Sequence, residues 1–159
     1  MGRAPDTTFH HSIGFMPRAI QTFEVSLKAF IVREGRALLV RESDSGFWEL
    51  PGGRIDVGEE WDAHDRILAR EIAEELGLEF RVELTDLAVT WTRRRPTDGV
   101  FQFIVGRICR HAGGEPFLSA EHDELAWLGP GDLSGLTFPA ESGYAAALDA
   151  LWQRVTASA

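Results

Sequence analysis

Cysteine occurs once in the 159 residues, at Cys109, which excludes an internal disulfide framework and is compatible with a reducing compartment. No apolar run approaches the roughly 20 residues needed to span a membrane. The first residues also lack the charged-then-apolar order of a secretory signal, so a cytoplasmic location is expected. Positive charge is scarce: 16 Lys+Arg stand against 25 Asp+Glu, a formal net charge of -9. A nucleic-acid polymer needs a broad basic face, and this composition does not supply one. Internal repeats and low-complexity segments are absent as well. What is present, 44% hydrophobic and 26% charged residues, suits one globular domain with a sizeable core.

Residues 1–17 carry Gly, Pro, Thr, Ser and two histidines without a period and read as an N-terminal arm, which leaves 18–159 as a single domain. Glu24 to Arg33 and Arg36 to Glu42 are apolar-rich around Glu34-Gly35 and predict a hairpin. Phe47 to Leu50 reads as a strand running into the turn Pro51-Gly52-Gly53, where glycines permit close backbone approach to a ligand. Arg81 to Trp91 continues the sheet, and Val89 to Arg93 with Val100 to Ile108 predicts a hairpin about Pro96-Thr97-Asp98-Gly99. Leu125 to Leu128 is strand-like and Asp132 to Gly135 a turn or short helix. Ala140 to Arg154 is helical, with Tyr144, Leu148, Leu151 and Trp152 on one stripe. Trp48, Leu50, Ile55 and Ile72 are expected in the core.

Glu71, Glu74 and Glu75 share roughly a third of one helix circumference, beside the apolar stripe Leu68, Ile72 and Leu76. In water such acids are an ordinary solvated face, costing a few tenths of a kcal/mol per pair. Partly sheltered, two of them about 6 Å apart repel by roughly 3 kcal/mol at an effective dielectric near 20, and a hard cation would relieve that.

Gly53, then five residues to Glu59, then Arg70-Glu71-Ile72-Ala73-Glu74-Glu75-Leu76-Gly77-Leu78, resembles the signature of the Nudix hydrolases. One spacing departs from it: ten residues separate Glu59 from Arg70, three more than the pattern holds. Those residues either lengthen the helix at its start or sit in the loop carrying Glu60 and Trp61, leaving Glu59, Glu60 or Asp62 as partner for Arg70.

The resemblance implies a Nudix-like α/β/α sandwich around a mixed β-sheet, of the α/β (α+β) class. It implies Mg²⁺ or Mn²⁺ bound by Glu71, Glu74, Glu75 and the Gly52 carbonyl, with Arg70 positioning the carboxylates. Gly77 is expected to end the helix in a left-handed position. The implied activity is hydrolysis of a diphosphate bond in a nucleoside diphosphate linked to another moiety, by metal-activated water. Two general bases are open, Glu71 and Glu124, the latter in the acidic stretch Ser119 to Glu124, and Glu124 is preferred. His122 reads as solvated, and His64, in the inserted stretch, would project on the carboxylate side if the helix extends that far, but is not counted in the site.

Arg93 and Arg95 at the hairpin tip could grip phosphate while Trp91 offers a stacking surface; a solvated tip with edge charges is the competing reading. A homodimer through an exposed edge or the arm is compatible with this chain. Two other functions stay open: a non-catalytic nucleotide- or metabolite-binding module, and isoprenoid diphosphate isomerisation by a reactive cysteine.

Overall fold

The structure, a computed structural model, describes residues 18–157; the 1–17 arm of the sequence reading lies outside them. Six strands and two helices run in the order β1 (Glu24–Arg33), β2 (Arg36–Glu42), β3 (Trp48–Glu49), α1 (His64–Leu76), β4 (Arg81–Arg94), β5 (Phe101–Gly113), β6 (His122–Leu128) and α2 (Tyr144–Ala157). A 3₁₀ turn at Pro130–Leu133 occupies the place of the expected turn or short helix.

Both expected hairpins form. Glu34 and Gly35 turn the first with φ of 50° and 73°, the positive-φ pair that matches strand twist. The second is longer than its two apolar stretches suggested, because Arg81 to Arg94 is one strand whose pairing shifts between Leu84 and Ala88. The sheet order is β3-β2-β1-β5-β4, with β6 on β2. β1 runs parallel to β5, from Glu24↔Gln102 to Val32↔Arg110, while its neighbours pair antiparallel, so the sheet is mixed.

Alternation along the central strands feeds two cores. Leu27, Ala29, Ile31, Leu38 and Val40 face α1, whose Ile67, Leu68, Ile72 and Leu76 close the layer. Phe30, Ala37 and Leu39 face α2 and meet Tyr144, Leu148, Leu151 and Trp152. The result is an α/β/α sandwich, in which trimming Leu76 or Leu148 to alanine would cost about 2–5 kcal/mol. Trp48, Leu50 and Ile72 are buried as expected, and Ile55 packs against the α1 layer.

Two helix ends differ from the sequence reading. α2 starts at Tyr144 rather than Ala140, because Glu141 and Gly143 take positive φ, which no right-handed helix accommodates. Gly77 has the positive φ expected of it, 93°, but its ψ of 152° sends the chain on extended rather than into a left-handed cap. Among the described residues no helix is long and apolar enough to cross a membrane.

Candidate active site

The Gly-Gly turn is sewn to β1. The Leu27 and Ala29 amides donate to the Gly53 and Pro51 carbonyls, each at 2.8 Å. Gly52 adopts φ 120°, and a Cβ there would lie 2.3 Å from the Leu27 carbonyl oxygen, so only glycine fits. At Gly53 a Cβ would lie 2.3 Å from a Glu71 carboxylate oxygen, which shows how closely helix and turn approach. The Gly52 amide donates to Glu75 Oε2 at 2.9 Å.

The extra residues sit before the helix, in the 54–63 loop, where Val57 and Trp61 are exposed, and α1 begins only at His64. Arg70 meets Glu59 through two bonds, Nε to Oε1 and Nη2 to Oε2, both 3.0 Å. The insertion therefore leaves Glu59 as the partner. Glu60 instead accepts the Gly58 amide, and Asp62 pairs with Arg66. Arg70 also reaches Glu71 at 3.0 Å and Glu74 at 2.9 Å, so one guanidinium ties three carboxylates.

Burial separates the three acids. Glu75 is 5% exposed, and desolvation pushes its carboxyl up to about 7 against the pull of Lys28 and the Gly52 amide. Glu71 is raised too, again mainly by burial, with Arg70 opposing. The Glu74 side chain, 59% exposed, turns toward Arg70. Among the described residues no three Asp, Glu, His or Cys side chains converge into a ready cage for an ion. Glu71 and Glu75 flank Gly52-Gly53 while Glu74 stands outside that pair. The donor chemistry nevertheless fits a hard cation: all the groups are oxygens, and Glu75 is an acid held in an environment that penalises its charge without a full counter-ion.

All three acids line one cavity of about 580 Å³ with Gly52 and Gly53. Its other walls carry Lys28, Glu49, Arg54, Arg93, Arg95 and Glu121, and among the described residues no aromatic ring contributes. Arg93 bonds Gln102 at 2.5 Å and stands 3.7 Å from Glu49. Arg95 is committed elsewhere, between Glu24 at 2.7 Å and Asp98 at 2.6 Å. Trp91 packs edge-on to Tyr144 in the α2 layer and offers no surface to the cavity. Glu124 pairs with Arg41 at 3.0 Å outside the cavity, whereas Glu121 lines it.

His122, expected in solvent, is 5% exposed, with its Nε2 3.6 Å from Glu49. His64 is exposed. Cys109 is buried among apolar side chains, which pushes its thiol up to about 12, far from a reactive thiolate.

Among the cavity residues that escaped the sequence reading are Lys28, Glu49, Arg54 and Glu121. Lys28 did leave a signal, a lysine inside the strand run Val-Ser-Leu-Lys-Ala-Phe-Ile-Val, and Glu49 another, an acid between Trp48 and Leu50. Arg54 directly follows the glycines, and its side chain is 53% exposed and lies 3.6 Å from Glu24.

The NUDIX domain family model matches residues 23–151. A MutT-like protein of Streptomyces ambofaciens is 36% identical over 111 residues, covering 69% of this chain and 66% of its own, so the chain spans just under two thirds of that relative. Among solved structures, an ADP-ribose pyrophosphatase from Streptococcus suis superposes with a TM-score of 0.63 at 25% identity, over 84% of this chain and 92% of that one. A MutT NUDIX hydrolase from Burkholderia pseudomallei gives a TM-score of 0.59 at 29% identity, over 84% and 98%.

Proposed function

This chain belongs to the Nudix domain family, and we propose that it is a pyrophosphohydrolase that uses Mg²⁺ or Mn²⁺ to cleave the diphosphate of a nucleoside diphosphate derivative. The observation that carries the reading is the Glu75 carboxyl, buried beside Gly52-Gly53 and pushed up to about 7, on the wall of a cavity that Arg93 also lines.

Glu71, Glu75 and the Gly52 carbonyl would hold the ion, and Glu74 would join when it leaves Arg70. A bound divalent ion neutralises phosphate oxygens and lowers the pKa of a coordinated water. Arg70, fixed by Glu59, keeps the carboxylates at one end of the cavity. Arg93 takes a phosphate oxygen through guanidinium N–H groups that Gln102 does not use, and Arg54 is free to add a second contact. Arg95 stays with Glu24 and Asp98 and supports the hairpin instead.

A base that removes a proton from attacking water must reach it. Glu121 lines the cavity, so we assign the role to Glu121; Glu124 would need to leave Arg41 first. Polar walls without an aromatic platform suit the phosphate and sugar portions of a substrate. The name of the Streptococcus suis protein puts ADP-ribose first in the panel to be tried. β4, whose outer edge pairs with no strand among the described residues, is where a second copy would add, and sedimentation over a concentration series tests it.

The test is turnover of nucleotide sugars, dinucleotides and nucleoside triphosphates with Mg²⁺ or Mn²⁺, following phosphate and nucleoside monophosphate. Cleavage of at least one class, lost in Glu75→Gln, is expected. Silence across all three overturns the proposal.

A further inference from the structure

β1 is buried without a break from Ser26 to Ile31, and Lys28, in the middle of it, is only 4% exposed. Taking an ammonium to that depth is unfavourable unless partners compensate. The partners are specific. Lys28 Nζ donates to the Gly52 carbonyl and lies 3.1 Å from Glu49 Oε2. Burial weakens the charged forms of both groups, yet Lys28 is raised above the ordinary lysine range by Glu49, and Glu49 is held down at about 2 by Lys28, His122 and Arg93.

Backbone pairing explains why a side chain is needed here. The carbonyls of Pro51 and Gly53 are taken by backbone amides of β1, and the carbonyl between them is served by the side chain of Lys28. Glu75 takes the Gly52 amide, so both polar groups of this glycine are held. Glu49 is fixed in turn by Arg93 at 3.7 Å and His122 at 3.6 Å, on top of Lys28.

We propose that Lys28, with Glu49 as its counter-ion, is a positioning residue that aims the Gly52 carbonyl into the cavity and so sets how tightly the divalent ion binds. A carbonyl oxygen has two lone pairs; Lys28 uses one and orients the other. The proposal rests on the reading of Gly52 as a metal-facing carbonyl. It departs from simple electrostatics in sign. A cation near an ion site repels the ion, so charge alone makes Lys28→Met bind metal more tightly, whereas loss of a positioning group makes it bind more weakly.

The deciding variant is Lys28→Met/Glu49→Gln, which removes both charges together so that neither member of the pair is left buried without the other, while Arg93 keeps its bond to Gln102. Mn²⁺ binding to the full chain is measured by electron paramagnetic resonance for the parent, Glu75→Gln, Lys28→Met and the double variant, with thermal melts alongside. Expected are a double variant that melts close to the parent and an Mn²⁺ affinity weakened roughly 10- to 100-fold, the range typical of residues that orient a ligand. A merely structural pair would recover affinity along with stability. Binding by the double variant as tight as the parent or tighter, with Glu75→Gln still defective, overturns the role of Lys28 and leaves the metal reading standing. Parent binding that Glu75→Gln does not change overturns the metal reading and this inference with it.

Discussion

The signature helix and the arginine hairpin each concentrate like charge, and the fold treats them in opposite ways. On α1, Glu71 and Glu74 share Arg70 as their close ion-pair partner, while burial leaves Glu75 pushed up to about 7. At the hairpin, Arg95 lies between Glu24 and Asp98 and Arg94 lies 6.0 Å over Phe101. Arg93 lines the cavity with its guanidinium bonded to Gln102 and 3.7 Å from Glu49, an acid that Lys28 already pairs. A charge cluster becomes a binding site to the extent that the fold withholds its counter-ions.

The sharpest way to break this contrast is Glu75→Gln. Turnover should fall by more than the roughly 100-fold that outer-sphere changes cost, with no loss in melting temperature, since a buried charge is removed and the Gly52 amide keeps an oxygen acceptor. Steady-state kinetics and calorimetry read both. Arg93→Gln comes next: a charge-assisted hydrogen bond of about 1.5–3 kcal/mol corresponds to a KM raised roughly ten- to a hundredfold, with kcat much less affected.

A third measurement uses pH. Glu75 has its folded value raised from 4.5 to about 7, so its contribution to stability is complete below pH 4.5 and is lost as pH rises through 7. A divalent ion binds the anionic form and reverses that loss. The rise in melting temperature on adding Mg²⁺ should therefore be larger above pH 7 than below it; equal rises would show that Glu75 is not the group that binds. The smallest effect is expected at Arg95→Gln, which should leave KM near the parent value while lowering stability by about 1 kcal/mol, as partly exposed ion pairs do.

How much of this was readable in the chain depends on distance along it. Glu71, Glu74 and Glu75 keep their relation because a helix preserves spacing, and Glu59 finds Arg70 despite the insertion because the loop between them can take up extra length. The β1–β2 hairpin was legible for the same reason, its turn being local. Partners remote in sequence were not. Glu24 neutralises Arg95 from β1, Tyr144 covers Trp91 from α2, and Arg41 holds Glu124 from β2; no local pattern announces any of these. Lys28 is satisfied by Glu49 and a turn carbonyl, and Glu49 by Lys28, Arg93 and His122, all of them remote in sequence.

The parallel pairing of β1 with β5 has a kinetic consequence. Val25 meets Phe103 in register, so strands from either side of the signature helix must come together across a long stretch of chain. Closing such a loop is entropically slow, while the β1–β2 hairpin and α1 need only neighbouring residues. During synthesis the acidic helix leaves the ribosome before the strand that carries Arg93, and both before β5. The two sides of the cavity thus meet late, and refolding should be limited by that encounter rather than by formation of either side.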